Sequence, residues 1–479
     1  MDTKIPGYVI ELMNRFAEAG HEIYIVGGAV RDLLMGKEVD DWDFTTDATP
    51  KEMLKIIPDG FYDNNFGTVG VSRKHVTKNP EKLDPEAQGE ILEITTFRKE
   101  FGYSDNRRPD KVVWGKNLDE DLARRDFTIN AMALKPANGS QSTADGKKKH
   151  TSSGLDTTDF HLIDPFGGQK DLERKLIRAV GNPDKRFSED ALRMMRAVRI
   201  GGELNFRIEK KTLEAIWESA TLINQISAER VKMELFKILA SPRAFQGVTL
   251  LRESGLLKEI LPELESCFGV EQKSPGRHHV YDVGTHSLMS LKFCPSMDPV
   301  VRFATLIHDI GKAETYNKLS NGTITFYNHE LYSGRMAKDI ARRLRLSKEE
   351  SDKLWRLVRY HQFTVDENQT DSAVRRFIRR VGKENVVDML NVRTGDRLGG
   401  GASETSWRLE EFKKRLVEVQ KQPFSVRDLK IDGKDVMKEL RIKPGPKVGE
   451  VLNKLFEKVE NKEVENDRGK LLKALKNEK

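Results

Sequence analysis

Glu22-Ile23-Tyr24-Ile25-Val26-Gly27-Gly28-Ala29-Val30-Arg31-Asp32, followed by Asp41-Trp42-Asp43-Phe44, is the stretch on which the reading of this chain turns. The β-branched and aromatic run ending at Val26 predicts a strand. The glycine pair after it predicts a turn into a helix that passes Leu33-Leu34 and stops near Gly36. Glycines at such a junction let backbone N–H groups approach a phosphate, although the same pair also makes an ordinary tight turn. Asp41-Trp42-Asp43-Phe44 reads as a strand, which puts Asp41 and Asp43 on one face. Two same-side carboxylates repel unless a divalent cation lies between them, and that arrangement serves phosphoryl transfer. Glu93, on a strand predicted over 91–98, is the candidate third acid.

Outward from this stretch, the first 135 residues read as mixed helix and strand, with a helix over 8–19 and a further strand over 67–73. Residues 74–89 read as a polar hairpin excursion, and 136–160, rich in Ser, Thr, Gly and Lys, as a mobile surface loop. Beyond 168 helical periodicity dominates, with boundaries near 165, 270 and 400. Lys273-Ser274-Pro275-Gly276 reads as a linker, and Gly399-Gly400-Gly401 as the end of the module that follows it. A chain of 479 residues predicts about three domains. Lys and Arg number 82 against 75 Asp and Glu, a net +7 that suits a nucleic-acid partner without demanding one. With 33% charged residues and no apolar run near the roughly 18–20 residues that span a bilayer, a membrane-embedded protein is excluded. The start of the chain lacks signal-peptide features, and only Cys267 and Cys294 occur, so a reducing cytoplasm is expected.

These residues resemble the class II tRNA nucleotidyltransferase and bacterial poly(A) polymerase family, of the polymerase-β-like superfamily. The resemblance runs from Gly27 to Asp32 and Asp41 to Asp43 through Arg124-Arg125-Asp126-Phe127-Thr128-Ile129-Asn130, Asp164-Pro165-Phe166-Gly167-Gly168 and Glu189-Asp190-Ala191-Leu192-Arg193. It covers about the first 240 residues. It implies an α+β chain, with a nucleotidyltransferase head (1–165) followed by all-α domains: a helical neck for base recognition (166–270), an HD domain (271–400) and a tRNA-binding tail (401–479). By resemblance Asp41 and Asp43 hold Mg²⁺ and Gly27, Gly28 and Arg31 meet the triphosphate. Arg125 and Asp126 line the nucleotide pocket, and Asp190 and Arg193, three apart on a helical face, read the incoming base. Arg196 and Arg199 continue the basic side of that helix. Residues 99–109 look like a loop that CC-adding members lack, which favours addition of CCA, or of A, over CC alone.

A second constellation lies at 278–396. His308-Asp309-Ile310-Gly311-Lys312 after an apolar run resembles the HD domain of metal-dependent phosphohydrolases, with His286 and Asp396 as first and last ligands and His329 and His361 as extra ones. Imidazole and carboxylate together suit a divalent metal whose identity the sequence leaves open. The tail around Lys443-Pro444-Gly445-Pro446-Lys447 resembles the tail motif of CCA-adding members.

The expected activity is therefore transfer of CMP and AMP from CTP and ATP to the 3′ end of tRNA, with a phosphohydrolase in the same chain. A-only addition, poly(A) synthesis, a phosphohydrolase with an RNA-binding head, and a binding protein without turnover are the alternatives. Oligomeric state is left open.

Overall fold

The computed structural model describes the chain apart from residues 1–3, 63–66, 78–79, 84–86, 88, 102–110, 116, 138–154, 157–159, 273–280, 364–369, 421–425, 461–462 and 477–479. The readings placed on 102–109, on Lys273-Ser274-Pro275-Gly276 and on most of 136–160 therefore lie outside the described residues. The chain divides into two compact units, Met1–Pro262 and Glu263–Lys479.

The first unit holds a seven-stranded mixed sheet. In chain order its strands are β1 (Ile23–Val26), β2 (Asp43–Thr46), β3 (Phe61–Tyr62), β4 (Thr68–Ser72), β5 (Ile91–Thr96), β6 (Ala133–Pro136) and β7 (Phe160–Ile163). Their order across the sheet is β7-β6-β1-β2-β5-β4-β3. Only β2 and β5 are parallel neighbours, with Asp43 opposite Glu93 and Phe44 opposite Ile94. The side-chain period of two then sorts the faces: Phe44, Leu92 and Ile94 enter the core with Phe16 of α1 (Gly7–Glu18) and Val30 of α2 (Gly28–Leu34), while Asp43 and Glu93 turn away from it. β1 is buried along its whole length because it is covered on both sides, Ile23 and Ile25 by that core and Tyr24 and Val26 by Phe97, Leu118 and Leu122.

Residues 74–89 join β4 and β5, antiparallel neighbours, as the excursion of a hairpin, and where described they include short helical turns at Arg73–Val76 and Pro80–Lys82. Two local expectations are corrected. Asp41 and Trp42 precede the strand instead of belonging to it, since β2 begins at Asp43. Asp190 is not helical: α4 (Pro183–Glu189) ends at it, with φ −144° and ψ 104°, and α5 (Leu192–Leu204) starts two residues later. In α5 Met194, Met195 and Val198 are buried. Gly202 passes so close to Gly247 that an added Cβ would lie 2.9 Å from its Cα. In the first unit, α6 (Ala228–Ala240) follows α5.

In the second unit, α7 (Val283–Phe293), α8 (Pro299–Ile307), α9 (His329–Arg343), α10 (Lys348–Tyr360) and α11 (Val386–Gly399) pack together. Pro299 opens α8 behind the capping carboxylate of Asp298, and the helix is buried from Val300 to Ile307. Helices Gly433–Leu440, Pro446–Glu460 and Arg468–Lys476 close on a separate small core that includes Leu429, Val436, Leu455 and Leu471.

Candidate functional site

Gly27 ends β1 with φ +73°, a left-handed conformation that costs an L-residue strain. Its backbone also passes close to two functional groups: a Cβ there would stand 3.0 Å from Arg125 Nη1 and 3.3 Å from Asp43 Oδ2. Glycine is thus what lets the junction bring a cation and a carboxylate to one place. Beside it opens a cavity of about 410 Å³. Gly27, Gly28, Asp43, Arg125, Asp126, Asp190, Arg193 and Arg196 all line it, together with Arg98, Arg124, Asn130 and Arg230.

Asp43 is pushed up to about 6, first by burial and then by the carboxylate of Asp41, with Glu93 adding to it; Arg125 and Arg196 pull the other way. Burial and two neighbouring carboxylates that disfavour the charge on Asp43 form a donor set that a divalent cation would relieve. Asp126 differs. Burial alone would raise it, but Arg196, at 2.7 Å, and the Phe127 N–H, donating at 2.8 Å, keep it below the usual carboxylate range. It is a clamp between the segment at Asp126-Phe127 and α5.

The base-reading candidates, Asp190 and Arg193, both line the cavity. Asp190 accepts from Arg230 of α6, at 3.0 Å and 3.4 Å, and from the Leu192 N–H at 3.1 Å. Arg193 donates to Glu189 at 2.7 Å and to the carbonyls of Arg186 and Arg124. Both side chains are therefore held by neighbours before any ligand arrives. Arg31 and Arg199 stand outside the lining: Arg31 is paired with Asp32 and Asn130, and Arg199 with Glu203 and Glu234. Arg230 escaped the sequence reading because it lies 40 residues beyond Asp190 on the polar face of another helix. Arg124 stood inside a quoted motif and could have been taken with Arg125.

A second, separate cluster sits in the other unit. His286 on α7, His308-Asp309 just past α8, His329 opening α9, His361 just past α10 and Asp396 on α11 converge, and all but Asp396 are buried. The close approach of α7 and α11 depends on Gly395 and Gly399. A Cβ on Gly399 would lie 2.5 Å from the Ser290 backbone nitrogen. Asp309 is the hub. Its Oδ2 is 3.2 Å from His308 Nε2 and 3.6 Å from His286 Nε2, and its Oδ1 is 3.2 Å from His329 Nε2 and 3.4 Å from His361 Nε2. Asp396 Oδ1 is 3.2 Å from His286 Nε2 and 3.7 Å from His308 Nε2.

The imidazoles are oriented for ligation. The Nδ1 atoms of His308, His329 and His361 each face the backbone carbonyl three residues earlier, at 2.7, 2.9 and 2.7 Å. That contact keeps the proton on Nδ1 and turns the Nε2 lone pair toward Asp309. Nε2 of His308 is buried with no aligned hydrogen-bond partner among the described residues. Two triads, His286-His308-Asp309 and Asp309-His329-His361, each bring their ligand atoms within 4.8 Å of one another, so the residues fit a divalent metal. Lys312 Nζ reaches Asp309 Oδ2 at 2.6 Å, and a cavity of about 350 Å³, also lined by Arg393, opens in front.

A family model described as "Poly A polymerase head domain" matches residues 23–178, and one described as "tRNA nucleotidyltransferase domain 2" matches 324–475. The CCA-adding enzyme of Geobacillus thermodenitrificans is 42% identical over 248 residues, an alignment spanning about half of each chain, 52%. That of Lactococcus lactis is 31% identical over 466 residues, covering 97% of this chain and 96% of its own. The solved structure of the Bacillus stearothermophilus CCA-adding enzyme in complex with CTP matches with a TM-score of 0.67 at 27% identity, over 99% of this chain and 98% of that one. Among the described residues, no helix is long and apolar enough to cross a membrane.

Proposed function

Because the chain belongs to the family of CCA-adding enzymes, which are tRNA nucleotidyltransferases, we propose that it transfers CMP and AMP from CTP and ATP to the 3′ end of tRNA in the cavity beside Gly27. The observation that carries the reading is Asp43, paired in register with Glu93 across β2 and β5, lining a cavity walled by arginines. Asp41, Asp43 and Glu93 would hold Mg²⁺, which when bound neutralises phosphate charge and lowers the pKa of a coordinated hydroxyl. Arg125 and Arg124 offer guanidinium donors to the triphosphate. The terminal hydroxyl of the RNA attacks the α-phosphorus, a new P–O bond forms, and the bond to the β-phosphate oxygen breaks to release pyrophosphate. Asp190 supplies acceptors and Arg193 donors to the base edge, and their prior anchoring to Arg230 and Glu189 supports a template of fixed geometry. On this reading residues 1–165 are the head, 166–270 the neck, 271–400 an HD domain and 401–479 the tail that meets tRNA.

The test is extension of tRNA transcripts ending before CCA, after C and after CC. Growth by three, two and one nucleotides followed by arrest supports the reading. Extension of the CC-ended transcript alone makes it an A-adding enzyme, and long tails a poly(A) polymerase.

We further infer that the His/Asp cluster binds a divalent metal and hydrolyses phosphoesters, with Lys312 near the phosphate. The carrying observation is the sharing of Asp309 between two histidine pairs. Release of nitrophenol from bis(p-nitrophenyl) phosphate, kept in Asp43→Asn and lost in His308→Ala, supports it; loss in both or in neither counts against it.

A further inference from the structure

Behind the arginines of the nucleotide pocket sits a carboxylate that the activity does not explain. Asp121 lies on α3 (Leu118–Ala123), and its side chain is wholly buried, 0% exposed. Its Oδ1 accepts from Arg124 Nε at 3.0 Å and Nη2 at 2.6 Å, and its Oδ2 lies 3.5 Å from Arg125 Nη2. A lone buried carboxylate is costly, so this charge is sustained by the guanidiniums around it, and they in turn by it.

Arg125 depends on it most. Apart from Asp121, the acceptor it reaches is the Asn130 carbonyl, at 3.5 Å, and its Nε is buried with no hydrogen-bond partner among the described residues. A guanidinium so thinly tied keeps donors in reserve for a ligand, yet needs an anion behind it to stay beside Asp43. Arg124 extends the effect, because its backbone carbonyl accepts from Arg193, the base-reading candidate, at 3.1 Å.

The geometry points to Asp121 as a positioning residue for nucleotide binding: from behind the pocket wall it aims Arg125 and Arg124 at the triphosphate and steadies the segment on which Arg193 rests. This rests on the nucleotidyl-transfer reading of the pocket.

Asp121→Asn removes the charge at constant size, and Asp121→Glu keeps the charge but moves it by a methylene. With full-length protein, KM for CTP should rise about tenfold or more in the first and about threefold in the second, while kcat falls less than about threefold in either. The Kd for CTP with Ca²⁺ and no RNA, measured by calorimetry, should follow KM. Wild-type KM and Kd in either variant, with or without a lower Tm, would overturn the proposal. Should Asp121→Asn not fold, Asp121→Glu decides alone. A wild-type protein that binds CTP but extends no tRNA would sink the transfer reading instead, and the Kd series would still judge Asp121.

Discussion

Asp43 holds a proton at a pH where an ordinary aspartate has lost it, and the sign of that shift fixes two outcomes. A carboxyl raised from 3.8 to about 6 favours the fold at low pH. That contribution is complete below 3.8 and is lost as pH rises through 6, so at neutrality the charged form weakens the metal-free protein. Asp43→Asn should therefore raise the Tm of the metal-free protein by a few degrees, on the order of 1–2 kcal/mol for a partly buried site, and yet lower kcat about 10³-fold. Calorimetry and the extension assay would read the two effects on one sample. Protons and Mg²⁺ also compete for this group, so the Mg²⁺ concentration giving half-maximal rate should climb about tenfold per unit as pH falls below 6 and flatten above 7. A flat Mg²⁺ requirement from pH 5 to 8 would refute the competition.

Elements decide which parts of these sites could be read in the chain beforehand. The Gly27-Gly28 junction, the strand carrying Asp43 and the strand carrying Glu93 were legible because period-two patterning and turn residues are local signals. The break at Asp190 was not. Nothing local interrupts the helical pattern from 183 to 204, and what stops α4 there is the non-helical conformation of Asp190, whose carboxylate pairs with an arginine 40 residues away. Helix crossings are equally hidden, since Gly202 and Gly399 look like mere helix weakeners until the partner helix is seen. Gly399→Leu should thus drive α7 from α11, separate His286 from Asp396 and cut bound metal by more than about half. Gly449→Ala, on the helix Pro446–Glu460 with open space around it, is the control expected to keep it. Metal analysis of the purified variants would check both.

At the scale of the molecule, the two candidate sites lie in separate units with separate ligand sets. Chelation should therefore lower the Tm of the transition belonging to the second unit while a CTP-induced rise in the first persists once Mg²⁺ is restored. With a net charge of +7, affinity for tRNA should fall steeply between 50 and 200 mM salt, a negative log–log slope of several units, where a partner bound through apolar contacts would show little change. Binding isotherms at four salt concentrations suffice. One consequence of the Asp309 hub reaches further. Its two oxygens address opposite histidine pairs from a single side chain, so two ions there would be neighbours sharing one negative charge. The first ion to arrive would spend the attraction the second relies on, and a chelator would strip the pair in two unequal steps. Occupancy, and with it turnover, would then follow the metal supply as a staircase.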